Sequence, residues 1–131
     1  MKLKEFGDLA GHTLKSITVL DGHAEMVFEL EDGTFCHLYH DQDCCEYVSI
    51  EDVCGDLNDL IGHPILLAEE VIHDNENPDG LPVSEYQESF TWTFYKLATV
   101  WGAVTIRWYG ESNGYYSERV SFAMLDEAEG W

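Results

Sequence analysis

At 131 residues, with 26 Asp or Glu against six Lys or Arg, the chain carries a formal charge of −20, and residues 16–95 hold 19 acids and no base. Phosphate backbones are bound by neutralising cations, so this balance argues against nucleic acid as a direct ligand; a positively charged partner, bound metal or a solvated surface with no partner remains. The length fits a single domain spanning 1–131, and the 45% hydrophobic and 13% aromatic content supports a packed core, since high charge brings disorder mainly where apolar residues are scarce.

The first residues, Met1-Lys2-Leu3-Lys4-Glu5, lead into Gly7-Asp8 without the apolar stretch of a secretory signal. No apolar run reaches bilayer length, so a membrane partner is not expected and a cytoplasmic location is. In that compartment the four cysteines, Cys36, Cys44, Cys45 and Cys54, are expected as reduced thiols. Extreme acidity also marks proteins of high-salt habitats, a rival account of the charge.

Residues 3–10 read as a short helical turn. Residues 14–20 read as a strand closed by Asp21-Gly22, and 24–30 as a second, with Met26, Phe28 and Leu30 on one face and Glu25, Val27 and Glu29 on the other. Asp32-Gly33 is a hairpin dipeptide, because Gly accepts the positive φ that tight turns need, and 34–40 completes a three-strand meander. Tyr47, Val48 and Ile50 suggest a short strand, 56–61 a short helix stopped by Gly62 and Pro64, and 64–72 a mostly apolar strand. Residues 74–84, rich in Asn, Pro and Gly, read as the one long loop.

A second meander follows, with strands at 89–99, 103–109 and 115–124. A three-residue turn at Ser112-Asn113-Gly114 places Ile106 opposite Val120 and Val104 opposite Phe122, whereas a two-residue turn would set the same apolar residues against Ser121 and Ala123. The expected fold is α+β: mostly antiparallel β-sheet, two meanders of about seven or eight strands, with one or two short helices. An unpaired edge strand of either meander offers a route to a homodimer.

Among chemical constellations, His40, Cys44, Cys45 and Cys54 carry the residue types of a zinc site, but the spacing His-x3-Cys-Cys-x8-Cys matches no familiar module. Adjacent cysteines in extended chain point to opposite faces, and small core thiols are the plainer reading. A reactive thiolate is disfavoured by the surrounding Asp41, Asp43, Glu46, Glu51 and Asp52, which raise a thiol's pKa. The carboxylates do not follow a calcium-loop pattern either.

In the register chosen above, Arg107 lies opposite Arg119. Like charges directly across a ladder need a bridge, either a carboxylate or a bound anion such as a nucleotide phosphate, with Tyr95 and Tyr109 as stacking surfaces. The acids from 41 to 59 (Asp41, Asp43, Glu46, Glu51, Asp52, Asp56 and Asp59) form a base-free run. Held along one edge, they would imitate successive phosphates and occupy the cationic groove of a DNA-binding protein. No complete set of nucleophile, base and charge stabiliser can be assembled, so an enzyme is not expected.

The strings His40-Asp41-Gln42-Asp43-Cys44-Cys45-Glu46, Ile50-Glu51-Asp52-Val53-Cys54-Gly55-Asp56-Leu57, Leu60-Ile61-Gly62, Ser89-Phe90-Thr91-Trp92-Thr93-Phe94-Tyr95 and Thr105-Ile106-Arg107-Trp108-Tyr109-Gly110-Glu111-Ser112-Asn113-Gly114-Tyr115-Tyr116-Ser117 resemble an uncharacterised family of small acidic proteins found largely in bacteriophages and prophages. That resemblance implies a biological setting and transfers no catalytic or binding residue. With it, the expected role is a phage-derived acidic interaction protein that inhibits a host nucleic-acid-binding or defence protein, of the anti-CRISPR kind, by covering a basic surface. A nucleotide-binding protein using Arg107 and Arg119, and a zinc-binding domain, are the alternatives.

Overall fold

The computed structural model describes residues 3–74, 89–112 and 116–125. Among the described residues eight strands, β1 (Leu14–Leu20), β2 (Glu25–Leu30), β3 (Phe35–Tyr39), β4 (Tyr47–Cys54), β5 (Leu67–Asp74), β6 (Ser89–Thr99), β7 (Gly102–Ser112) and β8 (Ser121–Leu125), build two antiparallel sheets. Their orders are β1-β2-β3-β8 and β4-β7-β6-β5. The helical content among the described residues is limited to short 3-10 turns at Phe6–Leu9, Asp21–His23 and Leu57–Leu60. The last occupies the place of the expected short helix, and its Asp56 cap accepts the Asn58 N–H at 2.9 Å.

The first meander follows the sequence pattern. Met26, Phe28 and Leu30 of β2 are buried, while Glu25 and Glu29 on the opposite face stay half-buried. The β2–β3 turn uses Gly33 at φ 90, the left-handed region closed to most side chains, and the Asp32 carboxylate accepts the Thr34 N–H at 2.8 Å.

The second meander is overturned at its last strand. β6 and β7 pair along their whole length, from Ser89↔Ser112 to Thr99↔Gly102, but β8 leaves this sheet and pairs with β3, Leu38↔Phe122 and Cys36↔Met124. Ile106 therefore faces Val53 and Tyr95 rather than Val120. The reason is occupancy: both edges of β7 are already hydrogen-bonded, to β4 and β6. β3 offers the free edge on which Phe122 and Met124 still reach the core. The proposed turn at 112–114 and the loop expected at 74–84 fall largely outside the described residues.

Both inner faces supply one core, with Phe28, Leu38 and Cys36 from one sheet and Tyr95, Ile106 and Trp108 from the other. Phe6, on the N-terminal turn, joins them, its ring 4.6 Å from Tyr95, 6.4 Å from Phe28 and 5.9 Å from Phe122. Burial of such a ring contributes roughly 1.5–3 kcal/mol, and here it ties the two layers to the chain's beginning.

Candidate functional site

The segment from His40 to Glu46 links the two sheets, connecting β3 to β4. Its organiser is Glu46, a buried acid. The carboxylate accepts the N–H groups of Asp43 and Cys44, each at 2.9 Å, and lies 2.8 Å from His40 Nε2. The other ring nitrogen of His40 lies 2.7 Å from the Arg119 carbonyl oxygen. Both ring nitrogens thus face oxygen atoms. The His40 ring and the two backbone donors hold the Glu46 carboxyl down at about 2, against a desolvation that opposes them. Gln42 closes the loop by donating to the Glu46 carbonyl at 2.7 Å. The result is a fixed turn that leaves Asp41 and Asp43 exposed.

The acidic run from 41 to 59 is not one stripe. Asp41 and Asp43 precede β4 and Asp56 and Asp59 follow it; at roughly 3.3 Å per residue, the eight-residue strand holds the two pairs about 25 Å apart. Glu46 is turned inward onto His40. Asp52 is held by Arg107, which donates from both Nε and Nη2. This pair exists because of a bulge: Ile50 faces Trp108 and Asp52 faces Arg107, leaving Glu51 as an extra residue that β7 does not match. Asp52 is thereby aimed outward while Val53 returns to the core. Exposed Asp41, Asp43, Glu51 and Asp56, with half-buried Asp59, take no ion pair among the described residues.

The two arginines do not meet. Arg107 sits on the outer face of the second sheet, its guanidinium carbon 5.6 Å from the Trp92 ring centroid, and Arg119 binds Asp74 at 2.8 Å. Each cation therefore answers a carboxylate of its own, and the expected opposition of the two arginines does not arise. Tyr95 is wholly buried, and its hydroxyl donates to Glu70 at 2.7 Å, so it offers no stacking surface. Tyr109 does lie on the outer face, 4.9 Å from Trp92 and 6.3 Å from Phe90. A shallow cavity of about 330 Å³ is lined by Arg119 together with His40, Asp41, Asp43 and Ser121; with two carboxylates beside one guanidinium, it is not built for an anion.

The metal-type residues are likewise dispersed. Cys44 and Cys45 are joined to each other as a disulfide, with Cα atoms 3.7 Å apart, where reduced thiols were expected. The chain bends at these two residues instead of running extended, so both sulfurs fall on one side. Cys54 is a free, exposed thiol at the far end of β4 and Cys36 a free, buried one. Among the described residues no three His, Cys, Asp or Glu side chains converge as a metal site.

Two features escaped the pattern reading. Glu118 is buried and accepts from Ser112 and, at 2.8 Å, from Thr91, whose hydroxyl also lies 2.9 Å from Asp74. One hydroxyl proton serves two carboxylates there. Glu118 stands in a polar Ser-Glu-Arg stretch that carries no sign of burial. The second feature is the β6–β7 hairpin tip, where Val100 and Trp101 are 71% and 65% exposed. Two large apolar residues in a turn position were a visible signal, since turns favour Gly, Asn, Asp, Pro and Ser.

These elements define a two-sheet antiparallel β domain with a hydrogen-bonded linking loop and a strongly acidic exterior. The sequence matches the family described as Domain of unknown function (DUF7448) over residues 7–122, and the chain belongs to that family. No curated protein and no solved structure matches it. No helix among the described residues is long and apolar enough to cross a membrane.

Proposed function

We propose that this chain is an acidic interaction protein that docks on a basic surface of a partner protein, and that it is a phage-derived inhibitor of a host nucleic-acid-binding or defence protein. The observation that carries this reading is the turn fixed around Glu46, which holds Asp41 and Asp43 outward on a chain with 26 acids against six Lys or Arg. Preorganised carboxylates lose little freedom on binding and accelerate encounter with a cationic surface. Because Glu46 and Asp52 are engaged internally, the contact set is Asp41, Asp43, Glu51, Asp56 and Asp59.

Affinity capture from a bacterial lysate at low salt, followed by a salt gradient, is the test. A basic partner is expected to elute as salt rises, and to be lost when Asp41 and Asp43, or Asp56 and Asp59, are changed to Lys. A partner that stays bound at molar salt, or that ignores both pairs of reversals, overturns the proposal.

A further inference from the structure

At the far end of the second sheet, the β6–β7 tip presents Val100 and Trp101 to solvent, and Leu66 and Leu67 at the start of β5 are 64% and 43% exposed. These residues share one end of the molecule. The Leu66 N–H bonds the Ala98 carbonyl at 2.8 Å, Leu67 pairs with Ala98, and the His63 ring meets Trp101 edge-on at 5.5 Å. A chain of −20 charge has no folding reason to keep a Trp in water at a hairpin tip. Isolated exposed apolar residues are ordinary, but a grouped set that includes an aromatic marks a contact surface.

The tip is also held still. Thr99 donates its hydroxyl to the Asp59 carbonyl and accepts the Trp101 N–H at 3.2 Å, so the 3-10 turn Leu57–Leu60 braces the hairpin. Asp59 lies so close that a Cβ placed on Gly102 would be 2.8 Å from its Oδ2. An aromatic anchor of this kind, braced before binding and with a carboxylate beside it, combines the low ordering cost and the central apolar contact of an interface hot spot.

We infer that the Val100–Trp101 tip, with Asp59 beside it, is the anchor of a protein–protein interface whose partner presents an apolar pocket rimmed by Lys or Arg. Charge decides the occupant. A second copy would bring another −20 to the same contact, and phosphate-rich surfaces are repelled for the same reason, whereas a cationic rim answers the carboxylates. The inference rests on the acidic-docking reading and names the specificity element within it.

The test uses the full chain and two peptides of equal length and charge, one alternating Lys with Leu and the other Lys with Ser, titrated by calorimetry. The Lys/Leu peptide is expected to bind more tightly, and Trp101→Ser to remove that preference, weakening it on the order of thirtyfold, while Lys/Ser binding is unchanged. Val100→Ser should act in the same direction, and circular dichroism of both variants guards against misfolding. If wild type shows no preference, or the preference survives Trp101→Ser, the inference falls and the acidic reading stands. If neither peptide binds, both fall. A Trp101-dependent fluorescence shift on phosphatidylcholine vesicles without any peptide preference would assign the tip to a lipid surface and overturn the protein partner.

Discussion

Arg107 and Asp52 meet across the β4–β7 ladder as a two-point pair, with Nε and Nη2 of the guanidinium each donating to one carboxylate oxygen. Arg107 holds the Asp52 carboxyl below its ordinary value. A carboxyl depressed on folding stabilises above its unfolded value of 3.8 and loses that contribution as pH falls through the folded one. Asp52 is 40% exposed, so the pair is screened, and Asp52→Asn is expected to cost about 1 kcal/mol or less at pH 7. Urea unfolding checks this: the gap between wild type and variant should narrow as pH drops below the carboxylate range.

The Glu46 carboxyl, held at about 2 against an ordinary value of 4.5, gives a second pH signature. Its contribution is complete above pH 4.5 and disappears as pH falls toward 2. Carbon-detected NMR titration should find Glu46 among the last carboxylates to protonate. Glu46→Gln is expected to flatten that part of the acid-unfolding curve and to increase protease cutting within residues 40–46, since the amide keeps one acceptor oxygen and turns an NH2 toward the other of the Asp43 and Cys44 N–H groups.

Gly110 lies where the chain of residues 116–120 presses on β7. A Cβ there would stand 2.8 Å from the Glu118 carbonyl oxygen and 3.1 Å from Val48 Cγ2. Gly110→Ala is therefore expected to destabilise by roughly 1–3 kcal/mol, the usual range for overpacking. Trp101→Ser, at an exposed tip, should stay within about 0.5 kcal/mol of wild type. Thermal unfolding of the two variants side by side provides the comparison.

Burial pushes the Cys36 thiol up to about 12, and its side chain has no access to solvent, whereas Cys54 is free and exposed. Iodoacetamide under native, non-reducing conditions should label Cys54 and spare Cys36. Addition of denaturant should then expose Cys36, and mass spectrometry of the peptides distinguishes the two. Rapid native labelling of Cys36 would contradict the packing of β3 against the core.

Much of the strand pattern was legible because it depends on neighbouring residues. The span of β6 at 89–99 and the alternation of β2 both follow from local periodicity. What the sequence could not reveal was which edge β8 would take. Hairpin geometry favoured β7, but β4, distant in sequence, already occupied that edge. The arginine opposition failed with it, since a register argument is only as good as its choice of partner. The acidic run misled for a related reason: seven carboxylates read as one patch until an eight-residue strand separated their ends. Glu46 carried a partial sign in its nearness to His40, though nothing in composition distinguishes a buried acid from its exposed neighbours.

The unmatched Glu51 in β4 has a consequence for changes in chain length. Because Ile50 and Asp52 already sit opposite consecutive residues of β7, deleting Glu51 would close the ladder without turning any other side chain over. Removing Ser49 instead would reverse inside and outside for the residues on one side of the gap. Most of the strand tolerates no insertion or deletion, yet at this point it holds one residue of slack, and natural length variation in β4 is expected there.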